Sequence, residues 1–342
     1  VSTAYDPLLA KVIATAPDRD GAIDALGAAL ALSAIGGVET CLAFVEQALR
    51  GTEFRLARHT TETLIDVAYD SHRIDVVRPG TQTTVQAWPG RQGYWDVGVP
   101  PSGPMDDWSF RWGNLALGNA EGAAGLEATL DGPALHCAVD TVVCVTGAPA
   151  AVQVDGVAVP MWEPVTVPAG ATLDVGSIGP PGIRAYVLVA GGLELPEYLG
   201  SAATFTLGGI GGLGGRALRV GDVLRATGEA VTVRVPGLTP ERPHFTQDWE
   251  LAVVPGPHAA PEFFEVADLD ALYATAWEVH FNSSRTGVRL LGPRPGWARD
   301  DGGDAGLHPS NIHDTPYSVG AVNFTGDLPI LLGPDGPSRM GR

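Results

Sequence analysis

The sequence predicts a mainly β protein preceded by a small α+β unit, and three observations carry that expectation. Residues 19–50 are the one stretch with convincing helical periodicity. Beyond Leu64 the texture changes to short Val-rich runs separated by Gly and Pro, the marks of strands and turns. The 45 glycines and 28 prolines of the 342-residue chain fall mostly in that second region, so many short strands are expected, stacked as a sandwich or closed as a barrel.

In chain order, Tyr5-Asp6-Pro7 reads as a turn entering a buried strand that includes Lys11, Val12 and Ile13, and without an initiator Met the chain is expected to be cut at its front. Ile23, Leu26 and Leu30, then Leu42, Val45 and Leu49, recur at helical spacing with alanines between them, which gives two amphipathic helices. Gly36 and Gly37 stop the first, and the Thr40 hydroxyl can cap the second. The boundary falls near residues 66–73, dividing a unit over 1–70 from one over 73–342. In the second unit, runs at 141–145, 152–159, 184–189 and 231–235 are expected strands. One short helix is expected after Asp106-Asp107, with Trp108, Trp112, Leu115 and Leu117 as its apolar stripe and carboxylates at its positive end.

Charge narrows the function classes. With 39 acidic and 21 basic residues the formal charge is -18, which repels phosphate backbones and anionic lipid and argues against nucleic-acid and membrane partners. No basic-then-apolar leader is present, and no run approaches the roughly 18 apolar residues of a membrane span, so a cytoplasmic location is expected. Cys41, Cys137 and Cys144 lack C-x-x-C spacing and read as thiols in a reducing compartment. Lys11 is the only lysine, hence the single candidate for any chemistry that needs an amine.

Three motifs bear on chemistry. Gly209, Gly211 and Gly214 spell G-x-G-x-x-G, but the following residues 216–222 read as strand and turn rather than helix, so a loop is expected and not a dinucleotide site. In GYWDVGVPPSGPMDD, residues 93–107, three prolines stiffen the chain while glycines permit close approach, which would present Asp96, Ser102 and Asp106 in fixed directions. The competing reading is a structural corner with Asp106 or Asp107 capping the next helix. Residues 299–327 concentrate His308, Asn311, His313, Asp314, Tyr317, Asn323 and Asp327, more hydrogen-bonding variety than turns require, and are the first place to look for a site. His308 and His313 are spaced His-x-x-x-x-His without a helix to align them, so no metal is expected.

These motifs carry a resemblance. GYWDVGVPPSGPMDD, LEATLDGPAL and HPSNIHDTPYSVGAVNFTGDLPILLGPDGPS look like the KipA-type half of the carboxyltransferase in urea carboxylases, over residues 73–338. That family also contains a component of 5-oxoprolinase. Residues 5–11, the helix pair, Gly37-Val38-Glu39-Thr40-Cys41 and Thr60-Thr61-Glu62-Thr63-Leu64 are similar to the closing segment of biotin carboxylases, which stand-alone KipA-type proteins lack. The sequence departs from the family at Ala87, where an aspartate is usual, and at Ser338-Arg339-Met340-Gly341-Arg342, where a glycine-rich continuation is usual, so the last barrel strands are expected to be missing.

The resemblance implies a cyclophilin-like β-barrel and carboxyl transfer from carboxybiotin to urea, giving allophanate. Biotin would arrive on a separate carrier domain, since Lys11 lies in Leu-Ala-Lys-Val rather than Met-Lys-Met, and ATP would be used by the rest of the biotin carboxylase. A KipI-like half would complete the site, so the isolated chain is expected to be inactive. The resemblance places Asn311 at urea; Asp314 is a plausible second partner, and His313 is either a proton relay or a packed histidine. Tyr317, Asp96, Ser102 and Asp106 are further candidates for substrate contact. Arg285 either steadies a carboxylate there or forms structural ion pairs. Two other readings stand beside this one: a 5-oxoprolinase-type component, and a KipA-type binding or regulatory module that partners a KipI-like protein.

Overall fold

The structure, a computed structural model, describes residues 7–33, 35, 38, 40–65, 67, 72–228, 242–313 and 317–336. Three helices come first: α1 (Arg19–Ala31), α2 (Leu42–Arg50) and α3 (Thr52–Arg55). Asp18 caps α1 by accepting the Gly21 N–H at 2.8 Å, and the Thr40 hydroxyl accepts the Leu42 N–H at 3.4 Å at the start of α2. Ile23, Leu30 and Leu49 are buried together against Leu26, Leu42, Val45 and Phe54, the helical stripes read from sequence. The expected strand around Lys11, Val12 and Ile13 does not form. Residues 7–16 are irregular and largely exposed, and among the described residues no strand precedes Arg73, so nothing there satisfies their backbone as a strand.

The remainder is mainly β, as expected. Its elements are β1 (Arg73–Arg78), β2 (Gln82–Gln86), α4 (Asp107–Leu117), β3 (Gly125–Thr129), β4 (Ala134–Cys137), β5 (Thr141–Gly147), β6 (Ala150–Val154), β7 (Val157–Ala158), β8 (Pro164–Val167), β9 (Thr172–Ile178), β10 (Arg184–Val189) and β11 (Val223–Arg225). After these come α5 (Val266–Ala274), β12 (Glu278–Val279), β13 (Gly287–Leu291), β14 (Val322–Thr325) and β15 (Leu328–Leu332). The expected strand at 231–235 lies outside the described residues.

Among the described residues the strands form three open sheets: β11-β1-β4-β9-β6-β7, β2-β3-β10-β5-β8 and β12-β13-β15-β14. The first two bury one core between them, in which Ile74 and Val76 meet Val85, Leu126, Leu135, Val143, Val145, Leu173, Val175, Val187 and Val189. Alternation along β10 explains how α4 is held. Val187 and Val189 point into that core, while Tyr186 and Leu188 face the other way and pack with Phe110, Trp112 and Leu117 of α4. A strand covered on both faces has to read as a continuous apolar run, and 184–189 does. Asp106 is the N-cap of α4, accepting the Ser109 N–H at 3.0 Å. Trp108, expected in the buried stripe, is about half exposed, and Phe110 takes its place inside.

The glycine-rich stretch is a loop rather than a helix start. Gly211 has φ +72°, and a Cβ there would sit 2.0 Å from the Ala203 carbonyl oxygen, so only glycine fits. The turn that follows is closed by Arg216, paired with Asp222 at 2.7 and 2.8 Å, before β11 begins.

Because Leu126 is fully buried between the two large sheets, Leu126→Ala should lower the unfolding free energy by about 2–5 kcal/mol, read from the midpoint shift in a denaturant titration.

Candidate functional site

The proline corner is bound tightly into the fold. The Gly103 N–H donates to Gln86 Oε1 at 3.1 Å, Met105 N–H to Glu127 Oε2 at 2.7 Å, and Asp106 N–H to the Tyr186 hydroxyl at 2.7 Å. The Ser102 N–H donates to the Pro334 carbonyl at 2.9 Å, which ties the corner to the turn after β15. Ser102 itself is buried with φ +56°, and its hydroxyl has no hydrogen-bond partner among the described residues. Asp96 is exposed in a short 3₁₀ turn, Trp95–Val97.

Arg285 is drawn into this corner. It is 7% exposed, and its guanidinium donates to Glu127 Oε1 at 2.7 Å, to the Gly103 carbonyl at 2.7 Å, and through Nε and Nη2 to both oxygens of Asp335 at 2.8 and 3.1 Å. Of the two sequence readings, the structural ion pair describes what is seen: four of the five guanidinium N–H donors are spent on protein groups. Glu127, 1% exposed, would be pushed up by burial; Arg285, then Arg184 and the Met105 N–H, outweigh that and hold its carboxyl below the usual range. Burial likewise disfavours the Arg285 cation, but Glu127 and Asp335 more than compensate and raise its pKa. Asp106 is committed to its helix cap, with both carboxylate oxygens on Ser109.

The polar stretch folds elsewhere. Trp297 stands at its centre. Its ring stacks on Phe264 at 4.7 Å and meets the edges of Phe324 at 5.8 Å and His308 at 5.7 Å. Asp268 on α5 accepts the Gly296 and Trp297 N–H groups at 2.6 and 3.2 Å, fixing the loop that carries it. The indole N–H donates to Asp327 Oδ1 at 3.1 Å, in the β14–β15 turn. Beside these rings lies an apolar cleft of about 500 Å³, whose lining includes Phe264, Trp277, Trp297, Tyr317, Asn323 and Phe324.

Asn311 is exposed at the end of a turn in which its N–H donates to the His308 carbonyl at 2.9 Å. Arg299, lying over the Phe263 ring at 4.3 Å, donates to the carbonyls of Pro309 and Asn311. The Asn311 amide rests over a glycine floor: a Cβ on Gly306 would come within 2.7 Å of its Nδ2. His313, also exposed, lines a second cleft of about 380 Å³ with Arg299, Asp304 and His258. Asp314, the expected second partner of the substrate, lies outside the described residues.

The structure therefore puts Tyr317 in the first cleft and His313 in the second, two adjoining clefts that share His258, Phe263 and Ile312, while Asn311 lines neither and sits in sequence between Ser310 and Ile312 of the first. The corner's hydrogen bonds described above reach Gln86, Glu127, Tyr186, Arg285 and Pro334, none of them in the polar stretch. Trp297 and Phe264 do not stand out in the sequence as site residues, whereas Arg299 and Asp327 are the two ends of the polar stretch. The run Gly292-Pro293-Arg294-Pro295-Gly296-Trp297, as stiff as the corner at 93–107, is the signal that points to them.

Comparison with known proteins identifies the family. The family described as carboxyltransferase domain, subdomain A and B, matches residues 97–341, and the biotin carboxylase C-terminal domain matches residues 1–66. The chain belongs to the carboxyltransferase subdomain A and B family. Urea amidolyase of Saccharomyces cerevisiae is 42% identical over 350 residues, covering 100% of this chain and 19% of that protein. The crystal structure of Kluyveromyces lactis urea carboxylase superposes with a TM-score of 0.86 at 41% identity, over 99% of this chain and 31% of that one. A 5-oxoprolinase component from Escherichia coli is 32% identical over 226 residues, covering 64% of this chain and 68% of that protein. The chain thus spans a minor part of the length of the urea enzymes it matches.

Replacing Arg285 by Met strands two buried carboxylates and should cost about 3–5 kcal/mol at neutral pH. A carboxyl with a depressed folded pKa contributes stability above its ordinary value of 4.5 and loses it as the pH falls through the folded value. The gap between wild type and Arg285→Met should accordingly narrow on acidification, as protonated Glu127 no longer needs the cation. Melting curves from pH 7 to pH 3 check this, and a pH-independent gap would show that Glu127 is not the group relieved.

Proposed function

We propose that this chain is part of a biotin-dependent urea carboxylase, from its carboxyltransferase half, which moves a carboxyl group from carboxybiotin to urea to form allophanate. The observation that carries the reading is the order of the two matches: a biotin carboxylase C-terminal segment at 1–66 runs into a carboxyltransferase segment at 97–341. Similarity to a urea amidolyase spans both, while similarity to the 5-oxoprolinase component is confined to 64% of the chain. In this reading residues 1–70 are the biotin carboxylase segment and 73–342 the KipA-like unit, a cyclophilin-like barrel in the complete enzyme. The antiparallel sheets starting at Arg73 support that division. The three cysteines are unpaired in the fold, in keeping with a cytoplasmic setting.

Urea is a poor nucleophile because its nitrogen lone pairs are delocalised, so the site has to orient it and help an N–H proton leave. The side-chain amide of Asn311 offers one acceptor and two donors to a flat molecule with two NH2 groups and one C=O. Asp314 is the proposed second partner, and His313, which lines the second cleft, is the proposed acceptor of the proton. Carboxybiotin, when bound, supplies the carboxyl group. The aromatic wall of the first cleft suits its flat bicyclic ring: Phe264, Trp297 and Phe324 would hold it, with Tyr317 as a polar contact, and would keep bulk water from the labile carboxylate. Lys11, exposed in an irregular segment, is not the attachment point in this reading; a carrier domain brings biotin, a KipI-like half completes the site, and ATP is used in the rest of the biotin carboxylase.

In the assembled enzyme, Asn311→Ala should raise the urea KM about tenfold, as loss of a hydrogen-bonding pair would. Unchanged allophanate formation at unchanged KM would remove Asn311 from the site. The chain alone should take up urea weakly and form no allophanate from free carboxybiotin. Calorimetric heat with 5-oxoproline and none with urea would replace this reading by the oxoprolinase one.

A further inference from the structure

The polar turn that carries Asn311 is braced by a side-chain chain that the chemistry above does not use. The Ser310 N–H donates to His308 Nδ1 at 3.1 Å, so Nδ1 carries the lone pair and the proton of the neutral ring sits on Nε2. That Nε2 faces Asp327 Oδ1 at 3.6 Å, the same oxygen that accepts the Trp297 indole N–H. The Ser310 hydroxyl lies 2.8 Å from Nδ1 and accepts the Gly326 N–H at 3.1 Å, which closes a loop back to the turn holding Asp327. Arg294 approaches the other oxygen of Asp327 at 3.6 Å.

Serine, histidine and carboxylate in a row invite a nucleophile reading, and the geometry rejects it. A hydrolytic triad also sets the serine at the nitrogen remote from the carboxylate, but with that nitrogen free to take the serine proton and the serine oxygen open to substrate. Here the serine's own backbone N–H competes for the same nitrogen, and its oxygen is already an acceptor. The row immobilises a turn.

We propose that His308 and Asp327 are positioning residues for Asn311. Asp327, anchored on Trp297 and the β14–β15 hairpin, faces the imidazole Nε2 across 3.6 Å; the imidazole accepts the Ser310 N–H; and the turn so fixed sets the Asn311 side chain against Gly302 and its amide nitrogen against Gly306. This deepens the urea reading of Asn311 and rests on it. An amide that reads a flat substrate through several hydrogen bonds loses them together when its turn shifts by a fraction of an ångström, so the effect belongs in substrate binding.

The test uses the assembled carboxylase containing this chain, with urea KM and kcat measured separately. His308→Ala and Asp327→Ala should raise the urea KM about tenfold and leave kcat within about threefold. His308→Asn should keep a near wild-type KM, because its Oδ1 can accept the Ser310 N–H as an ordinary Asx-turn does. His308→Gln, one carbon longer, should not rescue. Combining His308→Ala with Asn311→Ala should be no worse than Asn311→Ala alone, since the first acts through the second. Equal KM values for the Asn and Gln variants, or fully multiplicative effects in the double variant, would overturn the proposal, even if the Ala variant proves too unstable to assay. A normal KM in His308→Ala beside a raised one in Asn311→Ala would overturn it while leaving the urea reading intact. A normal KM in Asn311→Ala would end both.

Discussion

A single buried guanidinium decides how the two β regions of this protein meet. Arg285 precedes β13 in the third sheet, yet its donors are spent on Glu127 of β3, on the Gly103 carbonyl of the proline corner and on Asp335 beyond β15. Two carboxylates and one cation taken out of water are tolerable only when every hydrogen-bonding position is filled, and here the fork fits Asp335 bidentately while Glu127 gains Met105 and Tyr186 besides. Such a cluster adds modest net stability over an apolar contact. Its consequence is geometric: it ties the third sheet to β3 and to the proline corner.

The clefts inherit that geometry. β13 pairs with β15, β15 turns back into β14, and the turn between them presents Asp327 to Trp297 and His308. The Asn311 turn is thus referenced to the same sheet that Arg285 anchors, although the residues between them in sequence form loops. Aromatic packing supplies the rigid wall, with Phe264, Trp297 and Phe324 in mutual contact, and short polar links set the direction of the groups that face solvent. Glycines at 302 and 306 leave room for the amide to lie close to backbone.

Much of the fold was legible along the chain because its signals are local. The stripes Ile23-Leu26-Leu30 and Leu42-Val45-Leu49 are buried as read, the runs at 141–145 and 184–189 are central strands, and the helix after Asp106 begins where a carboxylate can cap it. The failures have physical causes. Residues 7–16 have strand composition but no neighbouring strand among the described residues, and a strand exists only through its partner. Trp108 yielded its buried position to Phe110 because the helix face is chosen by what Tyr186 and Leu188 present. Of the candidate residues read from the sequence, His313 and Tyr317 line the clefts, while Asp106 and Arg285 are committed to capping and ion pairing.

By itself the sequence determined the class of elements and the family, since helical stripes, β-branched runs and long stiff motifs are written in consecutive residues. Only the tertiary structure decided which polar side chains are spent on the protein itself and which remain free to meet a substrate. Arg285 and Asn311 are equally polar as letters in a sequence. One is closed in by carboxylates more than 150 positions upstream and 50 downstream, and the other is left open by glycines nearby. That difference is a matter of partners distant in sequence, which no local pattern encodes.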